Sequence, residues 1–194
     1  MDMATEHESV ELVGDELVGN IARAALFAAL MGAGSYVSFP NPVSPIPVTM
    51  QVLVVFLAGI FLGPIWGGGS IALYLAAGGL GAPVFAGGSA GLAPLVGPTA
   101  GYLWAYPVAA VIVGLVVHGG VDIGDYRVST ARLVGAMVAG TVVVYAFGTL
   151  GFAYVQSVGL ESAFWTASAA FIPAEAFKIA AAVGIVRSDA IAAQ

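Results

Sequence analysis

Two ionisable residues stand deep in sequence that otherwise avoids charge. Glu175 and Lys178 lie in the segment Phe171-Ile172-Pro173-Ala174-Glu175-Ala176-Phe177-Lys178. Positions i and i+3 share a face when the segment is helical. A carboxylate only accepts hydrogen bonds and an ammonium only donates them, so together they offer both functions to a polar solute. An ionisable side chain at membrane depth costs at least about 2.5–3.5 kcal/mol, and persists where it is paired or faces a polar cavity. Two readings are open: an ion pair that holds a helix bundle together, or one wall of a binding pocket. Pro173 favours the pocket, because a kink there opens space and frees a carbonyl.

Other polar groups are few. Thr49 and Gln51 open an apolar segment and are expected at the outer membrane edge, and Tyr74 and Tyr102 offer aromatic walls with a polar tip. The segment Gly87-Gly88-Ser89-Ala90-Gly91 fits the G-x-S-x-G pattern of a serine nucleophile. A serine hydrolase also needs a base within hydrogen-bond reach, and His118 is the credible one. The topology below puts Ser89 and His118 on opposite sides of the membrane, which excludes that chemistry.

The positioning elements follow from composition. The chain has 194 residues, 60% hydrophobic and 8% charged, with a net charge of −6. Globular proteins carry roughly 25% charged residues. Between Arg23 and Asp122 there is no Asp, Glu, Lys or Arg at all. A soluble domain cannot cover its surface with such a stretch, so the chain is read as an integral membrane protein. With 5 Lys+Arg against 11 Asp+Glu, nucleic-acid binding is excluded. The absence of cysteine removes disulfides, thiolate metal sites and cysteine nucleophiles, and two histidines make a metal cluster implausible. Lys178 follows Phe177 rather than glycine, so no Walker A loop and no ATPase of its own is expected. Neither a cofactor nor a metal is expected.

Breaks at Pro/Gly clusters predict six spans over about 20–37, 48–62, 65–79, 98–117, 131–155 and 163–187, given that a spanning helix needs about 20 apolar residues. Residues 1–18 form an acidic tail without the basic start of a signal peptide, 19–187 the membrane domain, and 188–194 a second tail. Pro64 suits the first position of a helix after a turn at Gly63. Arg23, Arg127, Arg132 and Arg187 all fall on the side of the termini, while the loops 38–47, 80–97 and 156–162 lack Lys and Arg. That pattern puts both termini in the cytoplasm. The first outer loop is stiffened by Pro40, Pro42, Pro45 and Pro47. Glycines in the second let backbone approach a ligand. Both loops are read either as ordinary connectors or as parts of a binding site. Ala25, Ala29 and Ala33 form one small-residue stripe on the first helix, and Ala24, Ala28 and Gly32 another, for internal packing or for docking a partner.

Five segments in order resemble the BioY family, the biotin-binding substrate components of energy-coupling-factor (ECF) transporters. They are Ala25 to Met31, Pro45-Ile46-Pro47-Val48-Thr49-Met50-Gln51, Leu57 to Pro64, Pro83-Val84-Phe85-Ala86-Gly87-Gly88-Ser89-Ala90-Gly91 and Gly97 to Leu103. The resemblance spans roughly residues 20–187. It implies an all-α membrane fold of six helices in the cell membrane. It implies capture of biotin from outside, and import by a transmembrane coupling protein and two ATP-hydrolysing subunits. Biotin would contact Thr49, Gln51, Tyr74 and Tyr102, the loop residues Phe85, Gly87, Gly88 and Ser89, and Glu175 with Lys178. Ala25, Ala29 and Ala33 would dock the coupling protein. The family usually has Pro-Gly-Asp-x-x-Lys in the last helix, whereas Ala174 and Glu175 stand here, moving the carboxylate outward by one methylene. A substrate component for another small vitamin, or a structural membrane protein, are the competing readings.

Overall fold

In hydrocarbon every backbone N–H and C=O must be satisfied within the protein, which favours helices. The structure is a computed structural model that describes residues 14–123 and 128–188. Its helices are α1 (Asp15–Tyr36), α2 (Gln51–Gly79), α3 (Ala100–His118), α4 (Thr130–Gln156), α5 (Leu160–Ala167) and α6 (Ile172–Arg187). One short antiparallel pair, β1 (Ser38–Phe39) with β2 (Val48–Thr49), bridges α1 and α2. Residues 1–13 and 189–194 of the expected tails, together with Arg127, lie outside the described residues. Asp15–Val18, expected in the tail, already belong to α1, where Asp15 and Glu16 suit the positive end of the helix dipole.

Among the described residues, five stretches are long and apolar enough to cross a membrane, the last combining α5 and α6. The protein is therefore a multi-pass membrane protein. The second and third expected spans lie within α2, which breaks at Gly63 (φ 71°, ψ −178°), a conformation that glycine adopts without strain. Across nine residues a straight helix would rise about 13.5 Å. Yet a Cβ placed on Gly67 would lie 2.8 Å from the carbonyl oxygen of Ala58. The chain doubles back at Gly63, and Pro64 opens the returning arm.

The helices meet where side chains are missing. A Cβ on Gly59 would sit 2.5 Å from the Ala110 carbonyl oxygen, and one on Gly114 would sit 2.5 Å from the Pro64 nitrogen. Gly101 packs against the carbonyl of Phe147, and Gly148 lies under the ring of Tyr102. These crossings lock α2 to α3 and α3 to α4. Phe56, Ile60, Ile71, Val113, Leu133 and Met137 fill the space between them. On α1 the stripe Ala24, Ala28 and Gly32 turns inward, with Met31 and Ser35, whereas Ala25, Ala29 and Ala33 are exposed.

The last expected span departs most from its reading. It starts at Leu160 and is interrupted between Ala167 and Ile172, where Ser168 leaves helical geometry (φ −134°, ψ −60°). Pro173 is not a mid-helix kink. It occupies the first turn of α6, where a missing N–H costs nothing.

The glycine crossings generate a controlled test. Gly59→Ala places a methyl against backbone and should destabilise by about 1–3 kcal/mol. Gly135→Ala, where nothing lies within 4 Å, should stabilise by about 0.5–1 kcal/mol through helix propensity alone. Thermal unfolding in detergent should order the proteins Gly135→Ala, unaltered, Gly59→Ala from most to least stable.

Candidate binding cavity

The break before α6 decides where the charges sit. It creates a helix N-terminus within the bundle, and Glu175 falls in the first turn of α6, where the helix dipole favours a carboxylate. Glu175 stands about 18 Å along the axis from Arg187, so it lies well inside the bundle. Glu175 and Lys178 are both buried, and Lys178 Nζ donates to Glu175 Oε2 at 3.3 Å. The second carboxylate oxygen, Oε1, is buried without a hydrogen bond of normal geometry, with the Tyr145 hydroxyl as its neighbour.

These residues line a cavity of about 300 Å³. Ligand pockets run from about 300 to 1,000 Å³, so this one suits a small molecule. α2 and β2 contribute Gln51 and Thr49, and α3 contributes Tyr102 and Tyr106. Phe85, Gly87 and Ser89 come from the loop after α2, and Tyr145 from α4. Thr49 Oγ1 donates to Gln51 Oε1 at 3.1 Å, and Gln51 Nε2 donates to the Tyr74 hydroxyl at 2.6 Å. This chain fixes the Gln51 amide and leaves its second N–H proton unassigned. Tyr74 stands behind the wall, edge-on to Phe85 with ring centroids 5.5 Å apart. Phe85 can lie there because Gly78 presents no side chain beneath it.

Loops are fastened over the cavity by side chains that donate to backbone carbonyls. Tyr36 at the end of α1 donates to Pro83, Asn41 donates to Ala170 at 3.3 Å, and Tyr102 donates to Ala167. The two outer loops of the sequence are thus tied to α1 and to the break before α6.

Eight residues singled out from sequence line the cavity: Thr49, Gln51, Phe85, Gly87, Ser89, Tyr102, Glu175 and Lys178. Two do not. Tyr74 reaches it through Gln51, and Gly88 packs near the Tyr36 ring. Sequence reasoning missed Tyr106 and Tyr145. A tyrosine inside an apolar span carries no charge to announce it, and its face is not encoded when the whole helix is apolar. Ser38 and Thr99 were missed as well, although Ser38 opens the first outer loop and Thr99 lies inside the Gly97 to Leu103 segment. His118 ends α3, with its Nε2 2.9 Å from the Ile60 carbonyl oxygen. About 27 Å of helix separates it from Ala100 at the cavity end of α3, so it is no base for Ser89.

Comparison with known proteins fits this arrangement. The chain is 39% identical over 163 residues to "Probable biotin transporter BioY" of Pyrococcus horikoshii, covering 84% of this chain and 91% of that one. It is 37% identical to "Biotin transporter BioY" of Rhodobacter capsulatus, covering 82% and 87%. Its fold matches the crystal structure at 2.1 Å of "the S-component for biotin from an ECF-type ABC transporter". That match has a TM-score of 0.78 and 23% identity, and covers 91% of this chain and 93% of the other. A sequence model of the BioY family matches residues 4–193, and the chain belongs to that family.

Proposed function

We propose that this chain captures biotin outside the cell and presents it for import driven by partner subunits. The observation that carries this reading is the cavity wall formed by Glu175 and Lys178, charged, buried and with one carboxylate oxygen still free to accept. A cyclic urea has N–H donors and a carbonyl acceptor, which complement a carboxylate and an ammonium. Apolar and aromatic neighbours such as Phe85, Tyr102 and Phe171 suit the rest of the molecule. The names of the similar transporters from Pyrococcus and Rhodobacter point to the same substrate.

In this reading the chain sits in the cell membrane and crosses it six times, the two arms of α2 each counting as a crossing. Both termini are cytoplasmic. Arg132 bonds the Val116 carbonyl and Arg187 the Val128 carbonyl, at the end of the bundle opposite the cavity, so the positive-inside rule points the cavity outward. The chain supplies no ATPase. A transmembrane coupling protein and two ATP-hydrolysing subunits drive release, and the exposed stripe Ala25, Ala29 and Ala33 is the surface that meets the coupling protein.

Biotin should raise the detergent melting temperature of the purified protein, while thiamine and riboflavin should not. A flat response to biotin from folded protein removes the substrate and leaves the fold.

Glu175→Gln strands a buried ammonium and Lys178→Met strands a carboxylate, so each should lower stability strongly, by about 3–5 kcal/mol. The double variant should recover the fold yet bind biotin about ten- to a hundredfold more weakly, since a charged hydrogen bond contributes about 1.5–3 kcal/mol. Glu175→Asp should keep binding. A stable double variant of undiminished affinity would show that the pair only holds the bundle.

Ala25→Leu and Ala29→Leu should leave biotin binding intact and abolish ATP-driven uptake in a reconstituted complex, because bulk on a small-residue stripe prevents close helix approach. Transport assays beside binding isotherms check this. Equal loss of both would remove the docking role from this exposed stripe.

A further inference from the structure

Among the described residues, two fully buried side-chain polar atoms make no hydrogen bond of normal geometry, Glu175 Oε1 and the hydroxyl of Tyr145, and they lie close enough to interact with each other. Both residues line the same cavity, from different helices. The contrast with other buried polar groups is sharp. Ser35 donates to Gly32, Ser70 to Gly67, and Thr49 and Gln51 are linked to each other and to Tyr74. A buried polar atom left unpaired is costly, and such atoms cluster where a ligand completes them.

The position of Tyr145 is built, not incidental. Its carbonyl accepts from Ser168 Oγ at 3.2 Å, and Ser168 shares a 2.6 Å hydrogen bond with Thr149. The break before α6 is thereby stitched to α4 one turn from the ring, fixing the backbone of Tyr145 relative to Glu175. The ring also separates the cavity from an apolar groove between α4 and α5, lined by Val142, Leu150 and Phe164. A phenylalanine would keep that partition and lose only the hydroxyl.

Chemistry narrows what the two atoms can hold. A carboxylate oxygen accepts only, so Oε1 needs a ligand donor. The phenol, whose neighbour in the protein is the Glu175 carboxylate, can turn its O–H to a ligand acceptor once a ligand N–H completes Oε1. A donor and an acceptor side by side on one ligand edge is the pattern of an amide-like N–H next to its C=O. We propose that Tyr145 contacts the substrate, its hydroxyl donating to the carbonyl oxygen of a cyclic urea while the adjacent ring N–H donates to Glu175 Oε1. This rests on the biotin reading above and extends it by giving the carbonyl, beside the Lys178 ammonium, a second donor on α4.

The test compares Tyr145→Phe with the unaltered protein for three ligands, using isothermal titration in detergent. Biotin and desthiobiotin keep the urea, and each should bind about ten- to a hundredfold more weakly to the variant. Protonated 2-iminobiotin keeps the N–H groups but has no carbonyl acceptor, and its affinity should change less than about threefold. The same loss for all three ligands would overturn the proposal, leaving Tyr145 to orient Glu175. No loss for biotin would also overturn it. A measurement on the unaltered protein stands apart from the variant's folding: 2-thiobiotin, whose sulfur accepts poorly, should bind at least about tenfold more weakly than biotin. Equal affinity there overturns the carbonyl contact. Unaltered protein that binds no biotin at all would remove the substrate reading itself, and this assignment with it.

Discussion

Taking a carboxylate and an ammonium out of water costs several kcal/mol per ion, and hydrocarbon returns nothing. Glu175 and Lys178 recover part of that cost through their 3.3 Å contact and through the dipole of α6. The rest of the architecture follows from the need to keep the pair shielded. The helix must begin beside the carboxylate, so the span breaks between Ala167 and Ile172. Neighbouring helices must close over both charges, which requires contact at backbone distance.

Glycine supplies that distance. Gly59 and Gly114 bring α2 and α3 together, and Gly101 with Gly148 brings α4 against α3. Without a hydrophobic driving force between helices in lipid, such close backbone packing is the principal source of cohesion. The same crossings aim Gln51, Tyr102, Tyr106 and Tyr145 toward one volume. Cavity and bundle therefore share their determinants, and a change at a crossing such as Gly148, under the Tyr102 ring, alters the cavity wall directly.

Much of this is legible in the amino-acid sequence. The uncharged run from Arg23 to Asp122 dictated a membrane protein, and the isolated Glu175 and Lys178 marked the cavity, because charge in apolar sequence is costly enough to demand a reason. Thr49 and Gln51 were visible for the same cause in weaker form. Tyr106 and Tyr145 were not. On helices apolar around their whole circumference, periodicity no longer separates the lipid face from the interior, and a tyrosine is tolerated on either. The two alanine stripes of α1 show the same limit: their compositions match, and only packing reveals that Ala24 and Gly32 face inward. The break at Ser168 was hidden because neither glycine nor proline marks it; Pro173 signalled a disruption but stands just after it.

The three fastenings over the cavity have a consequence for how such a chain tolerates sequence drift. In each, the donor is a side chain and the acceptor is a main-chain carbonyl: Tyr36 to Pro83, Asn41 to Ala170, Tyr102 to Ala167. A carbonyl is present whatever residue carries it. Pro83 is exposed and Ala170 half-buried, so those positions are free to change identity without loosening the fastening; Ala167, fully buried, is held by its packing instead. Tyr36, Asn41 and Tyr102 have no such freedom. The path of the second outer loop is thus encoded in Tyr36 on α1, away from the loop position it constrains, whereas the first loop carries its own fastener in Asn41 and can diverge only around it.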